Sequence, residues 1–243
     1  MIRRRESLLL ALVMLIWIAI AVLGGVAVPG ILLTSRRDFG FTLIPAPSDQ
    51  AQFLLITCGF QATLLLGAWW QGRRLGEGDW RAGPGVRPVQ KKARVILACV
   101  VMFGWLLTMI MLTAIFPAIR EFAKSVTPDI LMGAAGGGPA IYIARILLLV
   151  ILAPLAEELF FRGWIWEALR RSGHGTLSVI CLSVTPWLLL HGIDSPGRIL
   201  FLLPAGIVYS AARHTGGSVL ASLVVHIFNN LGVVAVQIIS AMG

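Results

Sequence analysis

The sequence predicts an all-α membrane protein, a polytopic transmembrane helix bundle of about seven membrane helices. Of its 243 residues, 58% are hydrophobic and only 13% are charged, whereas a soluble domain has about 25% charged residues. The mean hydropathy is +0.88, and several apolar runs are long enough to cross a bilayer, which takes about 20 residues. These observations together indicate an integral membrane protein.

The formal net charge of +9 does not indicate a nucleic-acid partner. The basic residues cluster at the ends of apolar runs, where membrane topology alone explains them, and no basic amphipathic face or aromatic platform accompanies them. We therefore expect no binding of nucleic acid. The three cysteines, Cys58, Cys99 and Cys181, lie in apolar runs without metal-binding or disulfide spacing, and we expect them to be small buried hydrophobic side chains.

The N-terminal part is expected to form three membrane helices. Three arginines at 3–5 precede an apolar run at 8–33, which is longer than the apolar region of a signal peptide and predicts an uncleaved helix with a cytoplasmic N-terminus. A second span is predicted at 53–70 and a third at 95–119. The basic, Gly- and Pro-rich stretch 71–94 between them fits a cytoplasmic loop, with anionic lipid headgroups as a further candidate ligand.

The C-terminal part is expected to form four more helices. They are predicted at 141–171, 177–191, 199–212 and 218–240. The charge-balanced loop 120–139 fits the non-cytoplasmic side, and the basic turn at 170–176 fits the cytoplasmic side. A break is expected at 192–197, and Pro154 is expected to kink the first of these four helices.

Two adjacent acids in the predicted helix at 141–171 have no simple structural explanation. A charged side chain inside a bilayer costs a few kcal/mol on insertion scales, so such groups usually face a polar interior and serve a function. Glu158 and Arg162 are four residues apart and can pair on one helix face, whereas Glu157 points about 100° away. We therefore expect Glu158 and Arg162 to support the structure and Glu157 to carry out chemistry.

Further polar side chains lie at membrane depth on two other predicted helices. His226 and Asn230 share one helix face because they are four residues apart, and Asn229 precedes Asn230. Trp187 can pack on the ring of His191 one turn later. A single histidine in a membrane helix most often forms a hydrogen bond between helices, so none of these residues indicates a site by itself.

Residue counting predicts that three of these groups lie at a similar depth. Glu157 precedes Arg170 by 13 residues, or about 20 Å along a helix, and His191 lies about as far beyond the next turn. His226 lies about 15 Å beyond the turn that precedes its own helix. We therefore predict one site, with the Glu157 carboxylate within direct or one-water hydrogen-bonding reach of His191, and with His226 and Asn230 facing the same cavity.

Other hydrolase patterns are absent from the sequence. It has no H-E-x-x-H zinc motif, no G-x-S-x-G motif, and no aspartate within the predicted helices. Cys181 and His191 are about 15 Å apart on one predicted helix, which is too far for a thiolate–imidazole pair. Two histidines and a glutamate could bind zinc, but Asn230 suits an oxyanion better than a soft metal, and we expect no cofactor.

Three sequence motifs resemble those of the CPBP family, a family of intramembrane glutamic endopeptidases that includes CAAX proteases and bacteriocin-processing enzymes. The motifs occur in the family's order, and each lies on a predicted membrane helix. They are Glu157-Glu158-x-x-x-Arg162 for E-E-x-x-x-R, Trp187-x-x-x-His191 for F-x-x-x-H, and His226-x-x-x-Asn230 for H-x-x-x-N/D. Tryptophan in place of phenylalanine keeps a large aromatic ring before the histidine. The resemblance covers about 139–236, which divides the chain into N-terminal membrane helices with a basic loop at 1–138 and a catalytic helix bundle at 139–243.

The resemblance implies roles for these residues. Glu157 would be the catalytic base, His191 would orient or activate a water, and His226 and Asn230 would stabilise the oxyanion. Peptide hydrolysis needs these elements, an activated water and donors aimed at the developing negative charge. The residues expected to support them are Glu158, Arg162 and Trp187.

The implied function is that of an intramembrane glutamic endopeptidase in a bacterial inner or plasma membrane. Its expected partners are the lipid bilayer and a peptide or protein substrate near the membrane surface. Substrates in such families include prenylated C-termini, peptide precursors and sorting-tail proteins. A non-proteolytic immunity or scaffold protein of the same family is an alternative, as is a proton-coupled transporter, because proton relays also use membrane Glu and His.

Overall fold

The computed structural model describes residues 9–25, 49–126, 138–192 and 196–242, and within these ranges the protein is all-helical, without a β-strand. This confirms the predicted fold class. The helices of these ranges are α1 (Leu9–Gly25), α2 (Asp49–Leu75), α3 (Lys92–Ile115), α4 (Pro117–Val126), α5 (Gly138–Arg171), α6 (Thr176–Gly192), α7 (Pro196–Gly216) and α8 (Val219–Met242).

Three helices in the described part of the chain, α3, α5 and α8, are long and apolar enough to cross a membrane. Two shorter apolar segments lie at Leu9–Gly25 and Thr176–His191. The protein is therefore an integral membrane protein, but the predicted number of seven spans is not confirmed.

The predicted third span, at 95–119, is interrupted by a proline. α3 ends at Ile115, and Phe116 has an extended backbone (φ −112°, ψ 105°) before α4 begins at Pro117. A proline ring clashes with a helical backbone at the preceding residue, while its missing N–H is tolerated in the first turn of a new helix. Pro117 therefore separates two helices where one was predicted.

α5 is the central helix of the bundle. It packs against α2, α6 and α8, while α7 packs against α3, α6 and α8. Large aromatic side chains of α5 fill the core between these helices: Phe160, Phe161, Trp164 and Trp166. Many apolar side chains of α3 remain exposed, as expected for a helix that contacts lipid tails.

Two widened, π-helical segments, Leu148–Leu152 and Glu158–Ile165, interrupt the regular turns of α5. A single regular segment, Ala153–Glu157, lies between them, with Pro154 near its start. Such widened turns redirect side chains and often occur at functional sites. The local disturbance predicted at Pro154 thus takes the form of widened turns within one continuous helix.

The loop between α2 and α3 is a packed element of the fold, not merely the polar connector predicted at 71–94. A Cβ atom on Gly83 would lie 1.9 Å from the carbonyl oxygen of Gly72, so only glycine allows this close approach of backbones. Near its other end, the backbone N–H of Gln90 donates a 3.1 Å hydrogen bond to the carbonyl oxygen of Gly216. The loop therefore joins the end of α2 to the turn between α7 and α8.

Other helix ends and loops differ from their predicted bounds. The helix predicted at 199–212 is longer at both ends, because α7 begins at Pro196 and ends at Gly216. The predicted break at 192–197 and the predicted loop at 120–139 fall partly outside the described residues, as do residue 8 and residues 26–33 of the predicted first helix.

The expected burial of the cysteines is wrong for one of them. Cys58 and Cys99 are half-buried, but Cys181 on α6 is exposed. Leu177 and Leu182 on the same helix are also exposed. This face of α6 is therefore apolar, and an uncharged thiol, which behaves as a small hydrophobe, suits a lipid-facing position.

Candidate active site

Glu157 and Glu158 lie side by side on α5 but contact different surroundings. Successive helical residues point about 100° apart. Glu157 contacts side chains of α2 and α6, whereas Glu158 contacts a side chain of α8. Both acids are buried, with 4% of Glu157 and 0% of Glu158 exposed. The two carboxylates therefore belong to two different clusters of side chains.

Neutral donors hold both oxygens of the Glu157 carboxylate. Gln61 Nε2 on α2 donates a 3.1 Å hydrogen bond to Oε1, and Trp187 Nε1 on α6 donates a 2.7 Å hydrogen bond to Oε2. His191 Nε2 lies 3.7 Å from Oε1, so the predicted proximity of this acid and this histidine is confirmed. Side chains from two neighbouring helices thus define the position of the carboxylate.

A backbone contact defines the orientation of the His191 ring. Its Nδ1 lies 2.8 Å from the carbonyl oxygen of Trp187, and because a carbonyl group can only accept, Nδ1 carries the hydrogen. In the neutral ring, Nε2 then presents its lone pair towards Glu157. The imidazole also packs on the Trp187 ring with a centroid distance of 4.7 Å, in agreement with the predicted aromatic contact.

Glu157 and His191 lie in the wall of a cavity of about 300 Å³, whose lining residues are Thr57, Phe60, Gln61, Leu64, Glu157, Phe161, Leu190, His191 and Arg198. The His191 side chain is 34% exposed. A larger groove of about 520 Å³ between α3 and α8 has only apolar lining residues and none of the predicted site residues. Of these two, the smaller cavity is therefore the one that has ionisable groups in its wall.

Glu158 belongs to a fully buried cluster. Arg162 NH1 lies 3.2 Å from Glu158 Oε1, and neither side chain is exposed, which confirms the predicted pair. The Arg162 guanidinium also lies over the rings of Trp187, at 4.7 Å, and Tyr209, at 5.7 Å. These cation–π contacts and the carboxylate surround the buried cation with compensating groups.

His226 joins the Glu158 cluster and does not line the cavity beside Glu157, so the predicted arrangement is wrong in this respect. Its Nδ1 lies 3.0 Å from Glu158 Oε1, and its ring stacks on Tyr209 at a centroid distance of 4.3 Å. The prediction rested on depth along a helix. Depth contains no information about the direction in which a side chain points, and this direction depends on how α8 is rotated against α5.

Asn230 is also directed away from the cavity. Its Nδ2 donates a 2.9 Å hydrogen bond to the carbonyl oxygen of Leu149. In this widened segment of α5, the N–H of Ala153 bonds to the carbonyl oxygen of Leu148. The next residue, Pro154, has no N–H to offer. Leu149 therefore lacks a donor from its own helix, and Asn230 supplies the partner that a backbone carbonyl needs inside a membrane.

The sequence prediction did not include two residues of these clusters. Gln61 is an amide in the middle of the predicted second span, and this polar residue was a detectable signal, because polar side chains in membrane helices commonly form interhelical hydrogen bonds. Tyr209 contacts both Arg162 and His226, but no motif or unusual spacing marks it in the sequence.

A third set of contacts joins this region to the α2–α3 loop. Arg213 on α7 is buried, donates a 2.8 Å hydrogen bond from Nε to the carbonyl oxygen of Arg162, and pairs with Glu167. Arg87 of the loop lies 3.7 Å from the same Glu167 oxygen. The backbone at Arg162 is therefore held from outside the helix that carries the two acids.

The described residues contain no group of three His, Cys, Asp or Glu side chains that could hold a metal ion. Glu157 with His191 and Glu158 with His226 form two separate pairs. Each pair would supply two protein ligands, whereas catalytic zinc sites usually have three.

Residues 139–232 match the family model described as Type II CAAX prenyl endopeptidase Rce1-like. The matched segment runs from the start of α5 into α8 and includes all three motifs, but it covers less than half of the chain. No match was found among curated proteins or among solved structures. Residues 139–232 are therefore similar to the Rce1-like family of CAAX prenyl endopeptidases.

Proposed function

We propose that this membrane protein is a glutamic endopeptidase that hydrolyses a peptide bond of a membrane-associated substrate. The observation that carries the proposal is the Glu157 carboxylate in the wall of the cavity of about 300 Å³, with His191 Nε2 at 3.7 Å. The Rce1-like match of residues 139–232 supports the same class of activity.

In this proposal, Glu157 and His191 together activate a water. Their facing atoms, 3.7 Å apart, are too distant for a direct hydrogen bond, which spans about 2.7–3.2 Å. Both atoms are acceptors when the imidazole is neutral, so a water that donates one hydrogen to each would satisfy both. As the water oxygen attacks the peptide carbonyl carbon, Glu157 accepts one proton as general base.

The tetrahedral intermediate carries a negative oxygen that requires donors, and we assign them to His226 and Asn230 on the basis of the motif resemblance. His226 uses Nδ1 for Glu158, which leaves Nε2 as its remaining ring nitrogen. The Asn230 amide would have to release its hydrogen bond to the Leu149 carbonyl oxygen and donate one to the oxyanion instead. This assignment therefore requires that substrate binding changes the contact between α5 and α8.

Collapse of the intermediate breaks the C–N bond, and the proton held by Glu157 passes to the leaving amine. Glu158 and Arg162 are assigned no chemical step, because both are fully buried and a base needs access to the water. Their role in the proposal is to hold the adjacent segment of α5.

The proposed substrate is a peptide or protein segment close to the bilayer surface. The matched family is one of CAAX prenyl endopeptidases, which makes a peptide with a prenylated cysteine a suitable first probe. Phe60 and Leu190 beside Glu157 provide apolar surface for substrate side chains. We further propose that the N-terminus is cytoplasmic, that the protein resides in a bacterial inner or plasma membrane, and that no cofactor is needed.

The proposal can be tested by measuring the cleavage of two fluorogenic peptides by purified protein in lipid nanodiscs. The two peptides differ only in a farnesyl group on one cysteine. We expect the wild type to cleave at least one of them. Glu157→Gln keeps the size of the side chain but cannot accept the proton, so activity is expected to fall about 10²- to 10⁴-fold. Glu121→Gln, at an exposed acid of α4, is the matched control. Unchanged cleavage by folded Glu157→Gln would refute the assignment of the base.

The alternatives predict different results in the same preparation. An immunity or scaffold protein would leave both peptides intact. A proton-coupled transporter would also leave them intact but would move protons across liposomes in a manner that depends on Glu157. The match to a family described as endopeptidases favours the proteolytic result.

A further inference from the structure

The apolar groove between α3 and α8 has the size of a ligand site. Its volume is about 520 Å³, and sites for small ligands have volumes of about 300–1,000 Å³. Most of its lining side chains are exposed, and they include Ile96, Cys99, Val100 and Phe103 on α3 and Val224 and Phe228 on α8. An open, entirely apolar surface of this kind suits a flexible hydrocarbon chain.

Lys92 lies on the same face of α3 as the groove. It precedes Ile96 by four residues and Phe103 by eleven, and both separations return to the same side of a helix. Its side chain is exposed, as is that of Lys91 immediately before α3. The groove therefore has positive charge at one end and apolar side chains along its length.

The sequence provides no acid to neutralise this end of α3. No Asp or Glu occurs between Asp79 and Glu121, and Lys91 makes no side-chain cap hydrogen bond to the helix. The positive end of the helix dipole therefore adds to the charge of the lysines. The stretch 71–94 contains seven basic residues, and clusters of about four to eight beside a membrane helix are typical of binding to anionic lipids.

The length of the groove face matches one leaflet of a bilayer. Lys92 and Phe103 are separated by about 16 Å along a helix. The hydrocarbon core of a bilayer is about 30 Å thick, so that one leaflet contributes about 15 Å. A phospholipid with its headgroup at Lys92 would therefore have the end of its acyl chain beside Phe103.

The groove lies on the opposite side of α8 from the candidate active site. Phe228 is two residues from both His226 and Asn230, and residues two apart on a helix point about 200° apart. His226 and Asn230 both contact α5. A lipid in the groove would therefore be separate from a substrate beside Glu157.

We propose that this groove binds an anionic phospholipid, with the headgroup at Lys91 and Lys92 and one acyl chain between α3 and α8. Charge complementarity distinguishes this ligand from other lipids. Phosphatidylcholine has the same chains but a cation beside its phosphate, so the lysines favour a lipid with net negative charge. The site does not depend on the proposed proteolytic activity and can be measured on a protein that cleaves nothing.

Native mass spectrometry of the full-length protein in detergent measures which lipid is retained. The protein is incubated with equal amounts of phosphatidylglycerol and phosphatidylcholine that carry the same acyl chains. We expect a preference for phosphatidylglycerol of about 10- to 30-fold, because each of the two lysines contributes about fivefold. An excess of glycerol phosphate, which has the anionic group without the chains, should not displace the lipid. Equal retention of the two lipids, or displacement by glycerol phosphate, would overturn the proposal.

Two variants at the charged end of α3 test the position of the headgroup. Lys92→Gln is expected to lower the preference for phosphatidylglycerol about fivefold, the effect of one cation near a lipid surface. Arg94→Gln is the matched control, because it removes the same charge from an exposed side chain about 200° around the helix, and it should leave the preference unchanged. An equal loss in both variants would indicate a general attraction of the basic loop, and the proposed site would be wrong.

Two variants in the middle of α3 test the position of the acyl chain. Val100→Trp places a large ring in the groove and is expected to abolish the preference for phosphatidylglycerol. Val101→Trp is the control at the next residue, which is also exposed but points about 100° away, and it should retain the preference. Identical lipid retention by the two variants would contradict the proposed seat of the chain.

The same spectra distinguish a lipid from a second copy of the protein. A doubled mass without bound lipid, reduced to a monomer by Val100→Trp, would show that another copy occupies the groove, and the proposal would be wrong. Lys92 and Val100 are both exposed, so their variants are expected to fold. If one of them does not, the other variant and its control decide.

Discussion

Gln61 on α2 donates a 3.1 Å hydrogen bond to Glu157 on α5, although the two residues are 96 positions apart in the chain. α2 lies outside residues 139–232, the segment that matches the family model. The candidate site is therefore completed by a helix from the N-terminal part of the chain. The matched segment by itself lacks one of the two donors that hold the candidate base.

Gln61→Leu is expected to lower kcat about 10- to 100-fold, because a hydrogen bond to a charged group contributes about 1.5–3 kcal/mol. Peptide cleavage by purified protein measures the effect. Thr63→Val is a suitable control on the same helix, since the Thr63 hydroxyl bonds to the carbonyl oxygen of Gly59 within α2. Equal activity of Gln61→Leu and wild type would show that α2 makes no contribution to the site.

Glu158→Gln and Arg162→Met are each expected to destabilise the protein by about 3–5 kcal/mol, because each leaves the other member of a fully buried ion pair without its partner. The double variant should recover part of this loss, since it removes both charges. Unfolding in detergent, followed by helical content, gives the free energies. Single variants as stable as Glu121→Gln would contradict the structural role of this pair.

Gly83→Ala is expected to lower the free energy of unfolding by about 1–3 kcal/mol, in the range of other overpacked sites. The added methyl group would lie 1.9 Å from the Gly72 carbonyl oxygen, and a backbone atom cannot turn away as a flexible side chain can. Gly104→Ala on α3 is the matched control, because nothing lies within 4 Å of its added Cβ atom. Thermal unfolding of the two variants side by side measures the difference. If both melt like the wild type, the α2–α3 loop is not packed as described.

Removal of divalent metals is expected to leave peptide cleavage within about twofold of its original rate. Each acid–imidazole pair would supply only two ligands, whereas a catalytic zinc usually requires three. The measurement is cleavage after incubation with 1,10-phenanthroline and dialysis, with and without added zinc. A large loss of activity that zinc restores would identify a metal enzyme and would reassign Glu157 or His191 as ligands.

Features that depend on local helix geometry could be predicted from the sequence. The Glu158–Arg162 pair follows from a separation of four residues, and the packing of His191 on Trp187 follows from the same separation on another helix. The proximity of Glu157 and His191 was also predictable, because both depths are counted from one short turn. Even the break between α3 and α4 was encoded locally by Pro117 and was missed only because the apolar run continues across it.

Other features of the candidate site were decided by the tertiary structure. The sequence by itself determined a helical membrane protein with two acids, two histidines and an asparagine at membrane depth. It did not determine that His226 faces Glu158, that Asn230 satisfies the carbonyl oxygen of Leu149, or that Gln61 reaches Glu157. The physical reason is that residue spacing determines depth and relative direction along one helix, whereas the rotation of each helix against its neighbours depends on packing across the whole bundle.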